Sequence, residues 1–329
     1  MKKFIDRVDN LLEESLSGFG RAHADLIELH RSPTFIRRRQ PPIPGKVAVI
    51  SGGGSGHEPL HSGFVGHGML DAACPGQIFT SPTPDQMVAA TDAVESGGGV
   101  LFVVKNYAGD VMNFEIASEM LECAVATVLV HDDVSLPANH SAGRRGVAGT
   151  LIVEKIVGAA AEAGADLAQC KALGDRVAGS TASMGVALTS CTVPAIGKPT
   201  FAIADNEMEY GVGIHGEQGR QRLLLDSATE IANHLCQTID DELKPSKDQP
   251  VLLHVNGLGG TPLSELYLMY ELARRYWERH GVSVTRSLVG NYTTSLDMAG
   301  CSITLTLLDE TLTRYWDAPV QTPALRWAC

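Results

Sequence analysis

Three apolar runs, separated by segments of helical character, most constrain how this chain can fold. The runs lie at residues 46–50, 99–104 and 124–130, and helices are predicted at 85–96 and 111–122. A run that is apolar on both faces is typical of a central strand in a parallel sheet, and alternation with helices builds such a sheet. The pattern therefore predicts an α/β fold.

The character of the sequence changes near residues 181–184, where shorter strands with Pro/Gly turns begin. Strands are predicted at 184–189, 194–204, 251–255, 282–289 and 301–307, with a helix over 219–238. A further helix runs to about residue 280, with Thr261 as its cap and Pro262 at its first position. We therefore predict two α/β domains, residues 1–182 and 183–329, each with a mostly parallel or mixed sheet flanked by helices.

Composition excludes several classes of partner. The formal net charge is −12 and no Lys/Arg block occurs, which argues against a nucleic-acid or anionic-membrane surface. The sequence contains no run of eighteen apolar residues, so we predict no membrane span. The seven cysteines form no CxxC pair, and acidic residues interrupt the apolar opening of the chain, so we expect reduced thiols and a cytoplasmic protein without a signal peptide.

A glycine-rich stretch at 51–58 follows the first apolar run. It predicts a tight loop and a short helix over 58–68, with glycines that let the backbone approach a ligand. The stretch lacks the lysine of a P-loop, which disfavours nucleotide binding. Residues 57–61 match the letters of a zinc-protease helix, but Pro59 lies in its first turn, so we predict no metal there. We also assign no metal to the acidic segment containing Glu207, Glu209 and Glu217.

In parallel sheets, ligands collect beyond the carboxyl ends of the strands. The polar segments that follow the predicted strands at 46–50, 77–80 and 99–104 should therefore lie close together. These segments are residues 51–58, 80–85 and 105–110.

Several motifs resemble those of the dihydroxyacetone kinase family, specifically its substrate-binding K subunit. In order along nearly the whole chain they are Ser-Gly-Gly-Gly-Ser-Gly-His-Glu-Pro (51–59), Phe-Thr-Ser-Pro-Thr-Pro-Asp (79–85), Val-Lys-Asn-Tyr-Ala-Gly-Asp (104–110), Ala-Gly-Arg-Arg-Gly-Val-Ala (142–148), Asp-Asn-Glu-Met-Glu-Tyr-Gly-Val-Gly-Ile-His-Gly-Glu (205–217), Thr-Pro-Leu-Ser-Glu-Leu-Tyr (261–267), Thr-Ser-Leu-Asp-Met-Ala-Gly (294–300) and Trp-Asp-Ala-Pro-Val-Gln-Thr-Pro-Ala-Leu (316–325).

The resemblance implies two α/β domains and a homodimer that binds dihydroxyacetone. It also implies a role in glycerol metabolism. It also implies a separate nucleotide-binding L subunit that carries ADP or ATP with Mg²⁺, so no cofactor is expected on this chain. Phosphotransferase-linked members use a third, M subunit as phosphoryl donor, whereas others exchange ATP. The sequence leaves the phosphoryl source open between phosphoenolpyruvate and ATP.

The resemblance assigns three catalytic roles. His215 aligns with the histidine that adds to the substrate carbonyl as a hemiaminal, a bond that ketones can form and glycerol cannot. Asp110 aligns with the carboxylate that acts on the hydroxyl to be phosphorylated. His57 aligns with a second histidine that hydrogen-bonds the substrate and assists proton transfer.

Three further residues align with groups that hold the substrate's oxygens: Gly54, Ser81 and Lys105. Without the resemblance, plainer roles are available. His215 could be a loop histidine bonded to a backbone group, and Asp110 could cap the following helix. Two other functions also stay open, phosphorylation of a related ketose such as erythrulose and non-catalytic sensing of dihydroxyacetone for a transcription regulator.

Overall fold

The computed structural model describes residues 2–329, which form two compact units that interleave along the sequence. The first unit contains the chain up to residue 130, residues 150–176 and residues 314–329; the second contains residues 131–149 and 177–313. Each unit has one six-stranded sheet flanked by helices, so the predicted fold class is confirmed. The division into domains 1–182 and 183–329 stays a prediction.

The sheet of the first unit has six strands in the order β1-β2-β4-β3-β5-β6. Strands β4, β3, β5 and β6 are parallel neighbours, and β1 and β2 extend the sheet by antiparallel pairing. The strand bounds are β1 Ile27–His30, β2 Phe35–Arg38, β3 Ala48–Ser55, β4 Ala72–Ile78, β5 Val100–Lys105 and β6 Val125–Val130.

Helices flank this parallel core, whose strands β3 and β5 are buried along their whole length. Phe102 of β5 meets Phe114 edge to face, with ring centroids 5.1 Å apart, and Met87 is fully buried in the same cluster. The helices that contribute to the first unit are α1 Leu11–Ala22, α2 Pro84–Val94, α3 Ala108–Met120, most of α4 Gly149–Glu162 and most of α5 Leu167–Gly179.

The sheet of the second unit is mixed, with the order β11-β10-β12-β7-β8-β9. Only β10 and β11 are parallel; the other neighbours pair antiparallel. Its elements are β7 Thr181–Ala187, β8 Glu207–Tyr210, β9 Gln221–Leu224, α6 Ala228–Leu243, β10 Pro250–Gly257, α7 Leu263–Arg279, β11 Ser283–Gly290 and β12 Gly300–Leu307. The chain continues through α8 Glu310–Asp317, β13 Val320–Gln321 and β14 Arg326–Trp327.

The buried carboxylate of Asp132 ties residues 131–149 to the second unit. It accepts hydrogen bonds from the backbone N–H groups of Val147 and Gly149, at 2.8 and 2.7 Å, and from the Ser183 hydroxyl at 2.5 Å. Three donors on one carboxylate compensate for its burial. This segment therefore belongs with β7 rather than with β6, which it follows in sequence.

Two predictions for the glycine stretch are wrong. The glycines do not form a loop, because β3 continues through them to Ser55 and pairs with β4. No α-helix covers 58–68; this segment forms turns and a 3₁₀ helix at Ser62–Phe64.

Three other local predictions also differ from the structure. Residues 221–224 of the predicted helix 219–238 form β9, an exposed edge strand, and α6 starts only at Ala228, with Ser227 as its cap. The predicted strands within 194–204 are absent. The Thr261 hydroxyl donates to the Gly300 carbonyl instead of capping α7, whose N-cap is Pro262. Within residues 2–329 no helix is both long enough and apolar enough to cross a membrane.

Candidate active site

The glycines of β3 allow an unusually close approach of polar groups to the backbone. A Cβ atom on Gly53 would lie 2.3 Å from the Lys105 ammonium nitrogen, and one on Gly54 would lie 2.6 Å from the backbone nitrogen of Thr80. Any larger residue would therefore collide with its neighbours. The glycines are required here for space.

Lys105 and Asp110 form a buried ion pair at the end of β5. Lys105 is the last residue of that strand, Asp110 lies in the first turn of α3, and Nζ is 3.6 Å from Oδ2. The N-cap of α3 is Tyr107, so Asp110 does not cap the helix. The other oxygen, Oδ1, is buried and has no hydrogen-bond partner among residues 2–329. An unpaired buried carboxylate oxygen is costly, and a substrate hydroxyl would satisfy it.

His57 and Ser81 lie against the same strand ends. The His57 imidazole is fully buried and stacks on the Phe79 ring, with centroids 5.1 Å apart. The Ser81 hydroxyl lies beside Gly109, where a Cβ atom would be only 2.7 Å away. The first unit thus brings together five of the six predicted site residues, whose roles stay predictions: Gly54, His57, Ser81, Lys105 and Asp110.

Sequence reasoning missed a buried polar cluster behind Lys105. The Lys105 Nζ lies 2.7 Å from His61 Nε2, and His61 Nδ1 lies 2.9 Å from the Ser51 hydroxyl and 2.5 Å from Glu154 Oε1. Burial, then the charge of Lys105, keeps the pKa of His61 well below its usual value. Burial raises the pKa of Glu154 to about 8. The only sequence signals were the His57–His61 letter pattern and an acid inside the apolar helix α4.

His215 belongs to the second unit, where ion pairs hold its loop. Its backbone N–H donates to the Glu217 carboxylate at 2.7 Å, and the other oxygen of Glu217 accepts from Arg145 at 2.8 Å. Arg145 also donates to Asp133 at 2.7 Å. Burial raises the pKa of Asp133, and Arg145 opposes that rise. The His215 backbone is therefore fixed by charge-assisted hydrogen bonds.

The acidic residues flagged near this loop pair with arginines. Arg222 donates to Glu209 at 2.9 Å and lies 3.8 Å from Glu207, while Glu217 pairs with Arg145. Within the described residues 2–329, no cluster of three or more His, Cys, Asp or Glu side chains could hold a metal ion. His57 and His61 do not lie on an α-helix, so the geometry of a zinc-protease motif does not form.

Fold and site together define a two-unit α/β protein with a buried Lys–Asp pair beside a glycine-bearing strand. The chain belongs to the Dak1 domain family, which matches residues 17–324. The resemblance found in the sequence is thereby confirmed.

Similar proteins support this assignment along the whole chain. The dihydroxyacetone-binding subunit DhaK of a phosphoenolpyruvate-dependent dihydroxyacetone kinase from Escherichia coli K12 is 46% identical over 99% of both chains. A DhaK subunit from a Listeria innocua phosphotransferase-dependent kinase is 46% identical, over 94% of this chain and 95% of the other. Human triokinase/FMN cyclase is 38% identical, and the match covers 99% of this chain and 58% of that protein.

Solved structures give the same result. The dihydroxyacetone kinase of C. freundii superposes with a TM-score of 0.87 at 33% identity, covering 98% of this chain and 60% of that one. A dihydroxyacetone kinase operon co-activator, DhaQ, superposes with a TM-score of 0.90 at 34% identity, covering 95% and 97%. Similar proteins thus include both an enzyme and a co-activator.

Proposed function

We propose that this chain is the substrate-binding subunit of a dihydroxyacetone kinase. It binds dihydroxyacetone and presents one hydroxyl to a phosphoryl group held on a partner subunit, giving dihydroxyacetone phosphate. The observation that carries the proposal is the buried Asp110 carboxylate, with one oxygen near Lys105 and the other without a partner. The 46% identity to an enzyme subunit of this activity over 99% of both chains supports it.

Asp110 acts as the proton acceptor in this proposal. The substrate hydroxyl oxygen attacks phosphorus while its proton passes to Asp110, and the bond from phosphorus to the nucleotide breaks. Such transfers depend mainly on position and charge, so the protein has to hold the nucleophile rather than supply new chemistry. Lys105, Ser81 and the backbone at Gly54 hold the substrate's oxygens, and His57 assists the proton transfer.

His215 captures the ketone covalently. The lone pair of one imidazole nitrogen attacks the carbonyl carbon, a C–N bond forms, and the π electrons of the C=O bond move to oxygen. That oxygen takes the proton that the ring loses from its other nitrogen, so a neutral hemiaminal results. Glycerol has no carbonyl group, and the step therefore separates ketones and aldehydes from simple polyols.

A partner chain completes the enzyme. We assign the nucleotide and Mg²⁺ to an L subunit and, where phosphoenolpyruvate is the source, the phosphoryl donor to an M subunit. The similar dihydroxyacetone kinase of C. freundii has been solved in complex with AMP-PNP and Mg²⁺. We further propose a homodimer in the cytoplasm; the seven free cysteines, most of them buried, suit a reducing compartment.

The covalent role is tested with His215→Ala, assayed with the L subunit and its donor supplied. We expect turnover to collapse and the carbonyl carbon of ¹³C-labelled dihydroxyacetone to keep its ketone signal on binding. Exposed His234 of α6 provides the control, because His234→Ala removes an imidazole from the same unit. Unchanged turnover in His215→Ala would refute covalent capture.

A second candidate function is sensing, because a co-activator superposes at a TM-score of 0.90. Capture requires His215, whereas only catalysis requires a proton acceptor such as Asp110. The sensor would be favoured if the protein binds dihydroxyacetone but forms no product. This result would have to hold with every L-type partner and with both phosphoenolpyruvate and ATP as phosphoryl sources. Comparing turnover of dihydroxyacetone and erythrulose separates the three-carbon ketose from the four-carbon one.

A further inference from the structure

Behind the proposed catalytic pair, a chain of hydrogen-bonding groups crosses the core of the first unit. It runs from Glu154 on α4 to Nδ1 of His61, and from Nε2 of His61 to the ammonium of Lys105 on β5. Lys105 in turn lies 3.6 Å from Asp110. Ser51 of β3 contacts His61 Nδ1 and donates its own proton to the Val103 carbonyl at 2.7 Å.

Every member of this chain is buried. Lys105 and Glu154 are 0% exposed, Asp110 is 2% and His61 is 4% exposed. Burying so many ionisable groups carries a desolvation penalty that apolar residues would avoid, so stability alone does not explain them. His57 is the other titratable side chain that acts on His61, through its charge. The cluster therefore contains two carboxylic acids, one amine and two imidazoles.

The contacts permit two proton arrangements of equal total charge. In the first, ammonium Lys105 donates to His61 Nε2, and His61 Nδ1–H donates to the Glu154 carboxylate. In the second, Lys105 is a neutral amine that accepts from His61 Nε2–H, and protonated Glu154 donates to Nδ1. The depressed pKa of His61 keeps the ring neutral in both arrangements, and burial, which raises the pKa of Glu154, favours the arrangement in which Glu154 holds the proton.

We propose that His61 and Glu154 are positioning residues that form a buried proton relay, which sets the charge of Lys105 and through it the basicity of Asp110. The proposal rests on the kinase function proposed above. In this proposal neither residue has a direct role toward the substrate. Both act through Lys105.

The relay balances charge during the reaction. Asp110 becomes neutral when it takes the proton of the substrate hydroxyl, and the Lys105 ammonium then loses its near counter-charge. A Lys105 proton can move to His61 Nε2 while the Nδ1 proton moves to Glu154, so no proton has to come from solvent. The reverse shift restores the ammonium when Asp110 releases its proton. The relay therefore avoids an isolated charge in the core.

The test compares the isosteric variant Glu154→Gln with Glu162→Gln. Glu162 lies on the same helix and is largely buried, but it pairs with Arg38 and Lys46 in a separate cluster. Glu154→Gln removes the proton acceptor at the far end of the relay and the carboxylate whose negative charge favours the ammonium form of Lys105. We expect at least about a tenfold lower kcat and an alkaline limb of the kcat–pH profile about one unit lower. Glu162→Gln should keep the wild-type profile.

Nitrogen NMR of ¹⁵N-histidine provides a readout that needs neither substrate nor partner. We expect His61 to stay a neutral ring between pH 6 and 9, with ring-nitrogen shifts that move near pH 8 in wild type and Glu162→Gln but not in Glu154→Gln. His61→Gln, which cannot pass a proton, serves if Glu154→Gln does not fold, and it should show the same loss of kcat.

Two results would overturn the relay. One is a kcat and alkaline limb in Glu154→Gln that match wild type, and the other is a His61 ring that takes up a second proton between pH 6 and 8. A normal NMR titration in a wild-type protein that never makes product would support the relay and refute the kinase function alone. The two proposals can therefore fail separately.

Discussion

Replacing Gly53 by alanine places a methyl group where the Lys105 ammonium now lies. The new Cβ atom would be 2.3 Å from Nζ, whereas ordinary contacts begin at 3.4 Å, so the ammonium must retreat by about 1 Å. A misplacement of that size in a catalytic site can cost about 10²-fold in rate. Lys105 is the flexible partner in this collision, and alanine suits a strand better than glycine. We therefore expect the free energy of unfolding to stay within about 1 kcal/mol of wild type.

Gly54→Ala should behave in the opposite way. Its Cβ atom would meet backbone atoms, 2.6 Å from Thr80 N and 2.8 Å from the carbonyl carbon of Phe79, and a backbone cannot swing aside as a side chain does. Overpacking of this kind costs about 1–3 kcal/mol, and each kcal/mol lowers Tm by about 2–4 °C in a domain of 150–250 residues. Gly18→Ala is the control, because nothing lies within 4 Å of its Cβ position on α1.

The assay pairs steady-state kinetics, with the donor subunit supplied, with thermal unfolding of each variant. Gly53→Ala should lose kcat at a nearly unchanged Tm. Gly54→Ala should lose Tm, and Gly18→Ala should gain about 0.5–1 kcal/mol with wild-type kinetics. If Gly53→Ala keeps the wild-type kcat, the position of Lys105 does not govern turnover. The claim that Gly53 is needed to leave room for the Lys105 ammonium is then refuted.

Three further outcomes are expected. Asp110→Asn should lower turnover by at least about 10²-fold while dihydroxyacetone affinity, measured by calorimetry, stays near wild type; a rate close to wild type would remove Asp110 as the proton acceptor. Glu217→Ala frees the backbone N–H of His215 and should raise KM for dihydroxyacetone; an unchanged KM would show that this bond does not position the loop. Burial lowers the pKa of His254 from 6.5 to about 4. Between pH 4 and 6.5 this imidazole therefore binds more protons in the unfolded chain than in the folded one, and the free energy of unfolding falls as the pH drops from 6.5 to 4. Urea unfolding across this range should show a shallower fall for His254→Asn, and an equal slope in both proteins would contradict the assignment.

Two of the strands that sequence analysis found carry continuous apolar runs. Residues 99–104 and 124–130 correspond closely to β5 and β6. The strand β5 is buried along its whole length, as its apolar run predicts, whereas β6 is an edge strand that is fully buried only at Val128 and Val130. The glycine half of β3 carried no such signal. Glycines 52–54 lie in the strand because neighbouring polar groups need the space, and a one-dimensional pattern does not record neighbours.

Site residues that follow strand ends could be predicted from the sequence, because parallel strands bring their carboxyl ends together. Lys105 and Asp110 illustrate this, five positions apart at one strand end. The partner of His61 could not be predicted from the sequence, since Glu154 is 93 residues away and lies in a helix rich in alanine and valine. The resemblance to a family assigned roles to single residues, but it did not predict the contact between His61 and Glu154.

The interleaved path of the chain has a consequence for synthesis on the ribosome. The first unit includes residues 314–329, where Lys155 of α4 donates to the Tyr315 carbonyl at 2.7 Å and lies 5.5 Å from the centre of the Trp327 ring. The strand with the glycines is made early, but the unit around it cannot be completed until residues 314–329 leave the exit tunnel. During translation, nascent chains therefore hold an unfinished first unit while the whole of the second is being made.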